Sequence, residues 1–226
     1  MLPSRPRESH TQTGQQTKEA EALEGLFPEV LFDVLGVPVR DTVVSTWFMV
    51  FLIVAVSYLL GKRKPELLEM VVQLISDSVS SVLGRPVDPY LPFLGSLAIF
   101  IAAANAFGAV PVFVTPTRDI NTPAALALVV FFSVHYFGLR ERGLSYATSL
   151  ANPLEVISQL SRTLSLTLRL FGNVISTELI TLVVSSLVPL IVPLVFIGFS
   201  MFTGVLQAYI FTVLAAVYID AAVRTD

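Results

Sequence analysis

The stretch Leu164 to Glu178, LSLTLRLFGNVISTE, sets an arginine, an asparagine and a glutamate among residues that otherwise belong in a bilayer. A charge at the bilayer centre costs at least about 2.5 kcal/mol, so Arg169 is expected to face protein or water and to mark a functional path. Its guanidinium is a fixed cation that attracts carboxylates. On a helix turning about 100° per residue, Glu155, Gln159, Arg162, Ser165, Arg169, Asn173 and Ser176 follow steps of three or four and share one stripe. Glu178 leaves that stripe. Nine residues beyond Arg169, it falls on the opposite side of the helix and about 13 Å further along, so the two are not expected to pair. Nothing near Arg169 on its own face neutralises it, which predicts a partner carboxylate from another chain.

The composition says what surrounds this segment. Of 226 residues 54% are hydrophobic and only 14% are charged, and with a mean hydropathy of +0.76 this describes a polytopic membrane protein. There is no cysteine, and His10 and His135 are too far apart for a metal motif, so neither a disulfide framework nor a metal or other cofactor is expected. A net charge of −3 offers no basic patch for nucleic acid. The absence of a phosphate-cradling glycine loop followed by Lys and Ser/Thr argues against direct nucleotide binding.

The expected fold is an all-α polytopic membrane protein with five membrane-embedded helices and one amphipathic helix on the inner face. Residues 1–41 read as a polar, outward-facing tail, whose more apolar end, Phe27 to Val39, is expected to lie on the membrane surface or on a partner. Residues 42–226 form the membrane domain. Spans are expected at about 43–60, 90–114, 122–139, 153–185 and 194–222. Leu67, Leu68, Val71, Leu74, Ile75, Val79 and Val82 recur at helical spacing and predict the amphipathic helix over 65–83. Asn121 or Thr122, followed by Pro123, is expected to cap the third span, and Asn152-Pro153 to open the fourth. Val188-Pro189 and Val192-Pro193 are expected to form the turn between the last two spans, which are too long to stand upright and predict a strongly tilted hairpin. Lys62 to Lys64, Arg140, Arg142 and Arg224 all fall inside under one orientation, with the N-terminus outside and the C-terminus cytoplasmic. His135, near the inner end of the third span, is expected to be an interfacial side chain without a metal or relay role. In the fifth span Ser200, Thr203, Gln207, Phe211, Leu214 and Tyr218 form a weaker stripe, which interhelical hydrogen bonding alone would also explain.

Ser165-Leu-Thr-Leu-Arg169-Leu-Phe-Gly-Asn173, then Glu178-Leu-Ile, together with Leu206-Gln207-Ala208-Tyr209-Ile-Phe and Tyr218, resembles subunit a of the rotary F-type ATP synthases. Asn105 and the loop Pro116-Thr-Arg-Asp119-Ile-Asn121 are similar as well, and the resemblance runs from about Trp47 to Ala222. It implies a non-catalytic stator subunit in an energy-transducing membrane, expected to be a bacterial plasma membrane. That subunit carries H+ or Na+ past a ring of c subunits through two offset half-channels, coupled to ATP synthesis or hydrolysis. Its partners would be the c-ring, peripheral-stalk b-type subunits and the lipid bilayer. Residue by residue, it implies that Arg169 contacts the ring carboxylates, that Glu178 serves the outer half-channel, and that Asn105, Asn173 and Gln207 are polar positions near the path. Asp119 and Arg162 are further candidates. Ser200 stands where several bacterial members have histidine, so a Glu178–histidine proton relay is not expected. The alternative from the residues alone is an independent channel or secondary transporter, but no internal repeat relates two halves of the chain.

Overall fold

Proline and glycine punctuate this chain where its helices change direction. The structure is a computed structural model that describes residues 30–34, 37–84, 86–108, 115–143, 145–146, 153–187 and 192–224. Helix α1 (Asp41–Arg63) carries the first apolar run. It stops at Lys64, whose backbone leaves the helical region (φ −148°, ψ 71°) because the following Pro65 disfavours the helical conformation there. Pro65 then opens α2 (Pro65–Leu83) at its first position, where a missing N–H costs nothing. Gly84 ends α2 in the left-handed region (φ 67°), its N–H donating to the Ser80 carbonyl. The bounds of α2 are those expected from the sequence.

Four elements of the bundle follow. They are α3 (Leu91–Gly108), α4 (Asn121–Arg142), α5 (Pro153–Leu187) and α6 (Val192–Val223), with a 3-10 turn at Pro116–Arg118 leading into α4. With α1, these give five helices long and apolar enough to cross a membrane. The span expected at 90–114 is helical only to Gly108, and 109–114 lie outside the described residues. Of the proposed turn, 188–191 also lie outside them, whereas Val192-Pro193 belongs to the start of α6 rather than to a turn. Asn152 lies outside them as well. The first and third spans are longer than expected, Asp41–Arg63 and Asn121–Arg142, since charged ends stay helical while their long side chains reach for water.

One element was not expected. Val30–Val34 (β1) and Val37–Arg40 (β2) pair antiparallel, with Val34 opposite Val37 and a register irregularity between Val30 and Phe32. The segment read as the end of a polar tail is therefore a hairpin that leads directly into α1.

The core is built from α3, α4, α5 and α6. Leu94 and Ile101 of α3, Ala127 and Val130 of α4, Leu166 and Leu170 of α5, and Phe211 and Ala215 of α6 are all fully or nearly fully buried. In a bilayer, where lipid tails are as apolar as leucine, close van der Waals packing rather than exclusion of water holds such side chains together. Helix α1 is peripheral, with only Thr42 and Met49 buried and Trp47 76% exposed, so its apolar surface is left for lipid. Helix α2 touches α1, α3 and α6, but its stripe divides. Val79 is buried and Ile75 is packed on the core, whereas Leu67, Val71 and Leu74 stay exposed, as an amphipathic helix at a membrane surface requires.

Helices α5 and α6 span about 52 and 48 Å at 1.5 Å per residue, more than a core of about 30 Å accommodates upright. They run antiparallel. The guanidinium of Arg162, near the start of α5, sits 5.3 Å from the ring centre of Tyr218, near the end of α6.

Candidate functional site

Helix α5 buries Gln159, Leu166, Thr167, Leu170 and Val174 against the bundle. Arg169 and Glu178 flank that buried face on its two sides. Arg169 is exposed with Ser165, Leu168 and Ser176, Asn173 is half-buried beside them, and no carboxylate among the described residues pairs with Arg169. The polar stripe read from the sequence therefore twists. Its Gln159 end turns into the protein, where the amide donates to Glu155 Oε1 at 2.9 Å, while its Arg169 end stands on the open face.

Glu178 meets a residue that the sequence did not single out. Arg118, the last residue of the 3-10 turn, places Nε 3.2 Å from Glu178 Oε2, and both side chains are largely covered. A loop arginine between prolines reads as a solvated charge, so only the packing of the turn against α5 reveals the contact.

Asp119, the next residue, is a structural clasp. Its Oδ2 accepts from Arg40 Nη1 at 2.7 Å, which ties the end of β2 to the turn. Its Oδ1 accepts from the Asn121 N–H at 3.1 Å, and its carbonyl from the Thr122 N–H at 3.1 Å. The expected cap on α4 from Asn121 or Thr122 is thus supplied two residues earlier, because the chain enters the helix already turned at Ile120. Burial raises the Asp119 carboxyl, but the Asn121 N–H and the Arg40 guanidinium together outweigh it and hold it below the usual carboxylate range. A depressed carboxyl stabilises the fold above its ordinary value of 3.8 and loses that contribution as the pH falls through its folded value. Asp119→Ala is accordingly expected to cost about 1 kcal/mol at neutral pH. In a denaturing-detergent titration the difference from the unsubstituted protein should shrink as the pH is lowered below the carboxylate range. An undiminished difference there would assign the loss to packing instead.

The remaining polar candidates gather where α3 crosses α6. Asn105 Nδ2 donates to the Gly204 carbonyl at 3.2 Å, and both residues are buried. A Cβ on Gly204 would lie 2.6 Å from the Asn105 Cβ, so glycine is what lets these helices approach. One turn on, Gln207 is 5% exposed, and its buried Nε2 has no hydrogen-bond partner, an unspent donor at a helix crossing. Ser200 is half-buried, and its carbonyl accepts from Thr203 Oγ1 at 3.1 Å. Arg162 is held over Tyr218, at the opposite end of α5 from Glu178. His135 rests its Nδ1 2.8 Å from the Phe131 carbonyl and its ring 5.9 Å from that of Tyr146.

Residues 42–220 match the family model described as ATP synthase A chain, a stretch that takes in α1 to α4, the whole of α5 and nearly all of α6. The protein named ATP synthase subunit a 2 of Bradyrhizobium sp. is 42% identical over 208 residues, covering 86% of this chain and 93% of its own length. ATP synthase subunit a of Albidiferax ferrireducens is 39% identical over 81% of this chain and 86% of its own. ATP synthase subunit a 1 of Hahella chejuensis is 33% identical over 89% and 92%. With the five apolar helices in place and similarity running nearly end to end, the chain belongs to the ATP synthase A chain family, whose members are membrane stator subunits of F-type ATP synthases.

Proposed function

We propose that this chain conducts H+ or Na+ through two offset half-channels past a ring of c subunits, and that Arg169 is its contact with the ring carboxylates. The observation that carries this reading is the position of Arg169. A fixed guanidinium stands on the open face of an apolar helix among Leu164, Leu168 and Ser165, with no partner carboxylate among the described residues. A charge so placed in a membrane requires a neighbour of opposite sign, and a rotating set of carboxylates supplies one repeatedly. When the arriving carboxylate is ionised the guanidinium attracts it. When the incoming ion neutralises it, the attraction ends and the ring moves on.

The two ends of the path lie on opposite sides of α5. Glu178 serves entry from the outer side, with Asn105, Gln207, Asn173 and Ser200 as the polar positions between that side and Arg169. The open amide donor of Gln207 suits a water at the crossing, whose oxygen would accept from it. Partners in this reading are the c-ring, b-type peripheral-stalk subunits and lipid, and the bond chemistry of ATP takes place outside this chain. The N-terminal hairpin then faces outward and Arg224 inward, in a bacterial plasma membrane.

Glu178→Gln keeps the shape of the side chain and removes its charge. In vesicles reconstituted with the whole synthase, ion flow from the outer side is expected to fall about tenfold, by analogy with the loss of one opposite charge in a partly covered site. Unchanged flow would remove Glu178 from the path. Running the same vesicles with and without sodium identifies the ion.

A further inference from the structure

We propose that Arg118 is a functional residue of the outer access path: its guanidinium is the resting counter-ion of Glu178, which an arriving cation must displace. The inference rests on the reading that Glu178 lies in that path.

The turn that carries Arg118 is held from several directions. Pro116 and Thr117 are buried, the Arg118 N–H donates to the Thr115 carbonyl at 3.1 Å, and Asp119 is bonded on one side to Arg40 and on the other to the start of α4. A backbone fixed in this way delivers its arginine to one place. The side chain is only 12% exposed and ends 3.2 Å from Glu178 Oε2, while the glutamate keeps 24% of its own surface open. The pair is therefore covered enough to interact strongly and open enough to be reached.

The contact is an attraction of charges rather than an aligned fork. Glu178 Oε2 is buried and receives no directed hydrogen bond, so the oxygen closest to the guanidinium keeps its capacity to accept from another cation. The other charged groups of the neighbourhood are already engaged or distant. Asp119 is held by Arg40, and Asp41 accepts from the Thr42 N–H. Helix α3 has no titratable side chain, the first on α4 is His135 near its far end, and the first on α6 is Tyr209. Arg118 is thus the one fixed cation facing Glu178 among the described residues. A guanidinium serves here as a counter-ion and not as a proton relay. It compensates the carboxylate while the site is empty and competes with whatever cation enters. That competition sets the ion concentration at which the path fills, and it also hastens release of the ion towards the ring.

The test uses the whole synthase in vesicles at a fixed membrane voltage. ATP synthesis is recorded against outer proton concentration without sodium, and against outer sodium at constant pH. Arg118→Gln is expected to lower the half-saturating concentration of the coupling ion by at least about tenfold, the smaller end of what removing an opposite charge does to a carboxylate's affinity. Arg118→Lys, which keeps the charge on a differently shaped head, should shift it less and in the same direction. A purely structural pair would lower the amount of assembled enzyme and leave half-saturation where it was, and that result overturns the proposal. Should Arg118→Gln not assemble, the lysine variant is read alone, and no shift in it overturns the proposal equally. Glu178→Gln separates the two levels. If it changes the curve while the Arg118 variants do not, only the role of Arg118 fails, and if it too changes nothing, the placement of Glu178 in the path fails first.

Discussion

Replacement of Arg169 by alanine is expected to abolish ATP synthesis driven by an ion gradient and to leave the folded subunit and its assembly intact. The asymmetry follows from where the side chain stands. Arg169 is exposed on α5 and makes no ion pair with a described residue, so its removal breaks no ion pair among the described residues, whereas its neighbours Leu166 and Leu170 are the ones that hold the helix in place. Truncation even relieves this subunit of a charge that is costly in a bilayer. What is lost lies between subunits. On the proposed reading, without a fixed cation no arriving carboxylate is attracted, and nothing prevents ions from passing straight from one access path to the other. Synthesis in reconstituted vesicles should drop to background while their passive ion leak rises. Arg169→Lys should recover little, because a compact ammonium lacks the planar fork that meets a carboxylate at two points. Retained synthesis in the alanine variant would refute the role.

A second large effect is expected from Gly204→Val. The glycine sits where α6 crosses α3, and a Cβ there would lie 2.6 Å from the Asn105 Cβ, with the Asn105 Cγ at 3.3 Å. Neither atom is the free end of a flexible chain, so the helices must part. Overpacking of this kind costs about 1–3 kcal/mol. The separation also breaks the hydrogen bond from Asn105 to the Gly204 carbonyl and moves Gln207, which lies one turn away and equally buried. Stability and ion flow should therefore fall together, the first read by denaturing-detergent titration and the second by ATP-driven transport. Gly204→Ala, which adds the Cβ alone, should show the same pattern more weakly. A valine variant with normal transport would place the ion path away from this crossing.

Membership of the ATP synthase A chain family removes the independent channel or transporter that the residues alone left open.

Local information sufficed for much of this molecule. The limits of α2 could be read to the residue because Pro65 and Gly84 impose backbone conformations that a helix cannot carry through. The apolar runs announced the spans, and helical arithmetic placed Arg169 and Glu178 on opposite sides of α5, as they stand in the structure, because both follow from composition and a fixed rotation per residue. Where the reading failed, the deciding partner was far along the chain or the pattern too short. The hairpin of β1 and β2 has strands of five and four residues, too few for alternation to stand out. Asp119, rather than Asn121 or Thr122, caps α4, and it is pinned by Arg40, 79 positions earlier. Arg118 reaches Glu178 across 60 positions, and Gly204 admits Asn105 across 99. The sequence by itself thus determined the helices, their membrane environment and the fixed cation at the centre. Tertiary structure alone decided which charges compensate one another and where two helices touch, because those contacts depend on how the helices pack and not on the period of any one of them.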